Sequence, residues 1–331
     1  YMIKKALKYR IYPSQEQKQM FAKHFGCARF MFNWGLSQKI EHYQIVKNNK
    51  DVKYKSLSLY DLQKKLTALK KDKDHLWLNE VNSQSLTQSL RHLDLAYRKF
   101  FKEKKGFPKF KSKTHSGSFY SHQGNSIDAD ALTLNIMKIK NIPIKFHRKC
   151  EGEVHGVTIA KTASGKYYAS ISVRINEELP FKPKINIEKA VKVELNEKHP
   201  YIAIGDKIVY GNFVIPNILK RMRVLNKRLS RKTIGSRSCE KTRITLAKLQ
   251  EKISYQRSDF LHNLSKKIVT DNKNIMVKTL AVSDNLLPTN RKKTRDKNRN
   301  LLDKGLFEFQ RQLTYKGDWY GSNVILNKPK S

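Results

Sequence analysis

Apolar and polar positions alternate over residues 2–12, Met-Ile-Lys-Lys-Ala-Leu-Lys-Tyr-Arg-Ile-Tyr, which predicts a strand. Pro13-Ser14 ends it, and Ser14 is placed to cap a helix starting near Gln15. The period then changes: Met20, Phe21, His24, Phe25, Ala28, Met31 and Phe32 recur at helical spacing, the stripe of a helix-bundle core rather than of a cofactor site. Residues 58–70 and 82–103 predict two more helices. In the second, Leu86, Leu90, Leu93, Tyr97, Phe100 and Phe101 share one face, while Ser83, Gln84 and Thr87 stand near its start, partly off that face. Residues 14–105 therefore read as a helical unit inserted after one strand.

Residues 132–139 alternate again, as do Val154 to Ala160, and Ser164-Gly165-Lys166 reads as a hairpin turn into Tyr167–Ile175. Short strands in series predict a small barrel closed by the N-terminal strand. Pro180 and Pro183 mark a linker. Val191–Leu195 and Tyr201–Tyr210 predict a strand pair, the latter turning at Gly205-Asp206. Two helices follow, over 217–232 and then over a long stretch with Leu246, Leu249, Ile253, Phe260, Leu264 and Ile268 on one face. A strand at 274–280, a basic segment from Arg291 to Arg299, a helix at 301–321 and a strand at Val324-Ile325-Leu326 complete the chain. Strand pair, helices, strand, helix, strand is the order of an RNase H-like α/β layer.

Charge changes the picture. The 331 residues carry 68 Lys+Arg against 28 Asp+Glu, a formal charge of +40. Such a chain repels itself unless a polyanion covers it, and nucleic acid rewards many cations by releasing counterions. Residues 98–113 hold eight Lys/Arg and one Glu, and residues 220–243 hold ten Lys/Arg and one acid, Glu240. The second run is one-sided enough to read as a phosphate track. No apolar run nears the roughly 20 residues that span a bilayer, and no signal peptide is visible, so a cytoplasmic protein without a membrane partner is expected. Cys27, Cys150 and Cys239 are far apart and lack CxxC spacing, which argues against a structural zinc site and for reduced thiols.

Several motifs read together. Ile3 to Pro13 followed by Gly26-Cys27-Ala28-Arg29-Phe30-Met31-Phe32-Asn33-Trp34 resembles the opening of TnpB proteins, transposon-encoded RNA-guided nucleases ancestral to the type V CRISPR effectors. Trp77-Leu78-Asn79-Glu80-Val81, Ala96 to Phe101, Gly106-Phe107-Pro108-Lys109-Phe110, Asp259 to Ser265, and Phe309-Gln310-Arg311-Gln312-Leu313 with Tyr315-Lys316 extend the resemblance over nearly the whole chain. It implies an α+β multidomain fold: a wedge β-barrel made of a strand at 1–13 and a body at 106–183, an inserted helical recognition lobe at 14–105, and a RuvC-like RNase H domain at 184–331.

The departures bear on the chemistry. The family's first RuvC motif sets an Asp in a Gly-hydrophobic-Asp-hydrophobic-Gly strand; here Lys192-Val193-Glu194-Leu195-Asn196 puts Glu194 there. The second sets a Glu inside a hydrophobic strand; here Lys278 stands there. The family's zinc-binding cysteines and third acid lie beyond the strand near 323–327, and the sequence ends at Ser331 with neither, so a degenerate, C-terminally truncated domain without the zinc-finger module is expected. Two-metal hydrolysis holds its ions about 4 Å apart on clustered carboxylates. Glu194 reaches one methylene, about 1.5 Å, too far, where about 0.5 Å matters. An ammonium repels the cations. Asp284, Asp303 and Glu308 are the acids that could rescue such a site. Glu194 and Lys278 are expected either to pair or to face solvent independently.

The resemblance is closest to nuclease-dead TnpB-like repressors. It therefore implies a protein that is not an enzyme and that represses transcription by occupying a guide-matched promoter site. The expected partners are a guide RNA and double-stranded DNA, with one chain per RNA, in the bacterial nucleoid; no zinc and no catalytic magnesium are expected. Ser83, Gln84, Thr87, Gln123 and Asn125 fall where the family reads a short motif flanking the target, and amides and hydroxyls suit base edges. Ordinary polar surface is the alternative for each. Backbone contacts are expected from Arg29, Lys109, Lys111, Arg221, Arg223, Lys227, Arg228, Arg231, Lys232 and Arg243. An active transposon endonuclease, and a nucleic-acid-binding accessory protein without independent targeting, are the alternative functions.

Overall fold

A computed structural model describes residues 2–48, 56–103, 106–113, 116–176, 178–195, 201–210, 216–278 and 305–327. The chain forms two compact units, Met2–Asn176 and Glu177–Ser331.

In the first unit, strand β1 (Met2–Ile11) alternates as predicted, with Tyr9 and Ile11 buried. Strands β2 (Gly117–Ser121), β3 (Asn125–Asp128), β4 (Thr133–Ile136), β5 (Ile139–Lys145), β6 (Glu153–Lys161) and β7 (Tyr167–Asn176) join it in one sheet of order β2-β6-β7-β1-β5-β4-β3. β1 pairs with β7 from Met2↔Asn176 to Ile11↔Tyr167 and touches β5 only at its C-terminal end. The described pairings thus set β1 in the middle of the sheet and β2 and β3 at its ends. Residues 132–139 are not one strand: the chain turns at Met137, whose φ is 52°, and separates β4 from β5. β2 and β3 escaped the sequence reading because each is only five or four residues long.

Helix α1 (Gln15–Asn48) uses two faces. Phe21, with Met20, Phe25 and Ala28, packs on the sheet core beside Phe119 and Tyr167. Cys27, Met31, Phe32 and Leu36 pack on α2 (Leu59–Leu69), a 3₁₀ turn (Lys73–Glu80) and α3 (Ser83–Glu103) through Leu62, Leu66, Leu78, Leu86, Leu90 and Leu93. A Cβ at Gly35 would lie 2.8 Å from Leu90 Cδ2, so the bare backbone is what lets α1 and α3 approach. Ser58 and Asp61 form a reciprocal capping box at the start of α2. Where α1, α3 and the sheet meet, His24 is buried, stacks on Phe119 at 4.5 Å and lies 3.2 Å from Ser85 Oγ. Desolvation pushes its pKa down to about 4, so it is neutral at pH 7.

In the second unit, β8 (Val191–Leu195), β9 (Tyr201–Ile204) and β10 (Lys207–Tyr210) run antiparallel, and β11 (Asn274–Lys278) and β12 (Asn323–Asn327) add in parallel, in the order β10-β9-β8-β11-β12. α4 (Pro216–Ser230) and α5 (Arg237–Asp271) lie between β10 and β11 in sequence, and α6 (Leu306–Tyr320) between β11 and β12. Val193, Ile202, Ile275 and Val277 of the sheet pack against Leu261, Ile268 and Val269 of α5 and Phe309 and Leu313 of α6. The lysine of α6 that faces α5, Lys316, is buried and donates to His262 O at 2.6 Å and Ser265 Oγ at 2.7 Å. Desolvation lowers its pKa to about 8.

Candidate nucleic-acid interface

The two positions expected to carry acids are brought together by register. β11 pairs with β8 at Ile275↔Val191, Met276↔Lys192 and Val277↔Val193, so Lys278 follows Glu194's neighbour on the adjacent strand. Val193 and Val277 point into the core, and the next residues emerge from it. Lys278 Nζ lies 3.8 Å from Glu194 Oε1, with the two side chains 64% and 57% exposed. The paired alternative holds, but the charges are not buried within their strands; they sit at the strand ends in water, where such a pair contributes at most about 1 kcal/mol. One carboxylate beside one ammonium is not a donor set for Mg2+, which requires hard oxygen ligands. Of the acids weighed as rescuers, Glu308 is engaged by Arg311 at 2.7 Å and Gln312 at 3.1 Å, and Asp284 and Asp303 lie outside the described residues, as does the basic segment from Arg291 to Arg299.

Five residues expected to read a flanking motif lie on α3 and around the β2–β3 turn. Gln84 Nε2 donates to Gln123 Oε1 at 3.0 Å, and Ser121 Oγ donates to Gln123 O at 3.1 Å. Asn125, at the start of β3 rather than in a loop, donates to Ser121 O at 3.2 Å. Gln84 Oε1 and Asn125 Oδ1 are shielded and lack a hydrogen-bond partner, a cost of about 1–3 kcal/mol each. Ser83 and Thr87 belong to a different recess, a cavity of ≈ 550 Å³ that they line with Lys70, Lys71 and Asn79. The structure therefore joins Gln84, Gln123 and Asn125 in one network and sets Ser83 and Thr87 beside lysines.

The basic residues divide by what holds them. Arg221, Arg223, Lys227 and Arg228 on α4, and Arg231 just beyond it, are exposed. Lys232 is drawn inward to Ser238 Oγ at 2.7 Å and Thr242 Oγ1 at 2.6 Å. Arg243 donates to Glu240 through Nε at 2.7 Å and through a second nitrogen. Arg29 is half-buried on α1, and Lys109 is exposed. Lys111 holds its ammonium 3.9 Å over the Phe32 ring while its backbone N–H donates to Asn33 Oδ1 at 2.7 Å. Desolvation lowers its pKa.

Sequence reasoning missed a cleft of ≈ 370 Å³ on α3, on which Gln88, Arg91 and Arg98 converge with Tyr120 and His155 from the sheet and His122 just beyond β2. The spacing of Gln84, Gln88 and Arg91 along one helix was a usable signal, but His155 could not be aimed without knowing where β6 departs from regular pairing. No helix among the described residues is long and apolar enough to cross a membrane.

Residues 2–49 match a family described as a helix-turn-helix domain and residues 203–287 one described as a probable transposase, both of the IS605 OrfB type. Here residues 2–48 form β1 and one continuous helix. The chain is 27% identical over 336 residues to "Putative RNA-guided DNA endonuclease InsQ" of Escherichia coli K12, covering 98% of this chain and 80% of that protein. A "Putative RNA-guided DNA endonuclease" of Streptomyces pristinaespiralis is also 27% identical, covering 98% of this chain and 77% of that protein. "Virulence protein VsdF" of Salmonella dublin is 34% identical over 115 residues, which are 33% of this chain and 93% of that protein. Among solved structures, a Cas12f1–sgRNA–target DNA complex matches with a TM-score of 0.50 at 12% identity, covering 99% of this chain and 90% of that one. The expectation that the chain is not an enzyme is corrected by these matches: relatives similar over almost its entire length are named endonucleases. That expectation weighed Glu194, Lys278 and the missing third acid and zinc cysteines, whereas the similarity covers nearly all positions of the chain.

Proposed function

The chain belongs to the IS605 OrfB (TnpB) family, and from that premise we propose that it binds DNA under the direction of a guide RNA. The observation that carries the reading is similarity over 98% of the chain to proteins named RNA-guided DNA endonucleases. The charge of +40 and the exposed cations of α4 supply what such binding needs, a surface that displaces counterions from phosphates. In this reading residues 1–13 and 106–183 act as the wedge, 14–105 as the recognition lobe and 184–331 as a RuvC-like domain. Support for the last is the sheet order of three antiparallel strands followed by two parallel ones.

Base pairing then supplies the sequence, and the protein reads a short flanking motif. Gln84, Gln123 and Asn125 are its readers, because exchanging the Gln84–Gln123 hydrogen bond for a base edge frees both amides and satisfies acceptors now without partners. Ser83 and Thr87 contribute from their lysine-lined recess. One chain per guide RNA is the stoichiometry proposed. Occupancy of a promoter in this way excludes polymerase and represses transcription, as in the TnpB-like repressors that the sequence resembles.

The names of the relatives favour a second reading, in which binding is followed by a metal-dependent cut. Both readings are tested in one series: the protein is purified with its co-expressed RNA, the RNA is sequenced, and guide-matched duplex DNA is offered with Mg2+. Guide-dependent binding supports both; cutting selects the second, and repression of a reporter promoter without cutting selects the first.

A further inference from the structure

The cleft on α3 has features that the reading above leaves unused. β6 departs from regular pairing with β7 between Val154↔Val173 and Gly156↔Ser172, which makes His155 the extra residue of a β-bulge. Bulges re-aim side chains, and this one turns the His155 ring against His122, with ring centroids 4.8 Å apart at 88°. The next residue is glycine, and a Cβ there would lie 2.2 Å from the Tyr120 hydroxyl, so the bare backbone is what lets that ring lie where it does. That hydroxyl lies 3.4 Å from His122 Nδ1. Bulge, glycine and tyrosine together fix both imidazoles at the cleft that Gln88, Arg91 and Arg98 line.

The charges around the pair are mostly positive. Arg174 of β7 lies 3.4 Å from His155 Nε2. A guanidinium only donates, so Nε2 accepts and the ring proton sits on Nδ1. Lys4 of β1 stands directly opposite Arg174 in the register, so two cations are neighbours across the strands. On α3, Arg98 is bonded to Asp94 at 2.9 Å, while Arg91 is exposed. Glu153 of β6 is the acid on the sheet side, opposite Arg174 on β7. Burial, then Arg174, His122 and Lys4, hold His155 below the ordinary imidazole value, and Glu153 opposes them.

We propose that this cleft binds a backbone phosphate of duplex DNA, with Arg91, His122 and the His155 Nδ1–H as its donors, and that His155 takes up a proton on Nε2 as the phosphate enters, giving up its bond with Arg174, whose guanidinium turns to the phosphate. A phosphate diester supplies the negative charge that relieves the crowding of Lys4, Arg174 and the imidazoles, and it carries acceptors for the His155 Nδ1–H and the Arg91 guanidinium. An anion favours the charged imidazole, so binding and protonation reinforce each other: affinity rises as pH falls. The inference rests on the chain being a DNA-binding protein, not on its being guided.

The test uses the full chain and a short duplex DNA unrelated to any guide. Between about pH 8 and about pH 5.5 the wild type is expected to tighten about tenfold more than the His122→Gln/His155→Gln variant. In imidazole-labelled wild-type protein, the His155 resonance is expected to move toward the protonated position when the duplex is added. Equal pH dependence in wild type and variant, or an unmoved His155 resonance in a bound complex, overturns the site. The resonance needs no variant, so a variant that fails to fold leaves the proposal testable. Proton-linked duplex binding without guide preference would uphold the site and overturn guided targeting; guided binding with no proton linkage would do the reverse.

Discussion

Lys278 Nζ lies 3.8 Å from Glu194 Oε1, across two neighbouring parallel strands, at the point where both strands leave the core. Because both groups are more than half exposed, Lys278→Ala is expected to lower stability by less than about 1 kcal/mol. Lys278→Glu sets two carboxylates side by side and is expected to cost about 0.5–1 kcal/mol, recovered on adding Mg2+. Thermal melts of the two variants, with and without the metal, read this directly. A large loss in Lys278→Ala would mean that the pair is far better shielded than its exposure indicates.

Gln84 and Gln123 share one hydrogen bond at 3.0 Å. Gln84→Ala is expected to weaken binding to the preferred flanking motif by about 1–3 kcal/mol and to leave binding to other motifs nearly unchanged. A library of flanking sequences, selected against wild type and variant, measures the lost preference. Uniform weakening across the library would make Gln84 a backbone contact instead.

The exposed cations of α4 should act on affinity without choosing sequence. Replacing Arg221, Arg223 and Arg228 by Ala is expected to weaken binding to every DNA and to reduce the slope of log K against log salt by about one per residue removed. Arg243→Ala is expected to change the slope less, since that guanidinium is already bonded to Glu240. Titrations at several salt concentrations separate the two.

His24 gives the first unit a pH dependence. Its pKa in the fold is about 4, below the ordinary imidazole value, so the unfolded chain binds more protons between those two values. The stabilisation is therefore complete above the unfolded pKa of about 6.5 and is lost as pH falls toward about 4. His24→Phe removes the titration while keeping a ring on Phe119, and is expected to flatten the melting temperature over that range. Unchanged pH dependence in the variant would assign the acid sensitivity to other groups.

Much of the architecture was legible because periodicity follows burial. The β1 alternation, the stripe on α1 and the face of α3 reappear as core residues such as Tyr9, Phe21, Met31 and Leu90. The hairpin at Gly205 was readable from its turn residues, and the glycine adopts φ +56°. What pattern could not supply was local geometry. Met137 turns the chain within an alternating stretch, and alternation does not record a left-handed φ. The pairing of Glu194 with Lys278 required only parallel neighbours and was foreseen as one of two outcomes. Exposure belonged to the other outcome, and the structure combines the two, since an apolar run does not say which of its residues lies past the core. The cleft at His155 depends on a bulge of one residue, which leaves no periodic trace.

The central claim is guided binding, and the most direct measurement is the affinity of the chain, carrying its co-purified RNA, for duplexes that match or do not match the guide segment of that RNA. The account predicts tight binding to the matched duplex and weak, salt-sensitive binding to the unmatched one. Equal affinity for both would contradict it and leave a basic protein that binds nucleic acid without a guide.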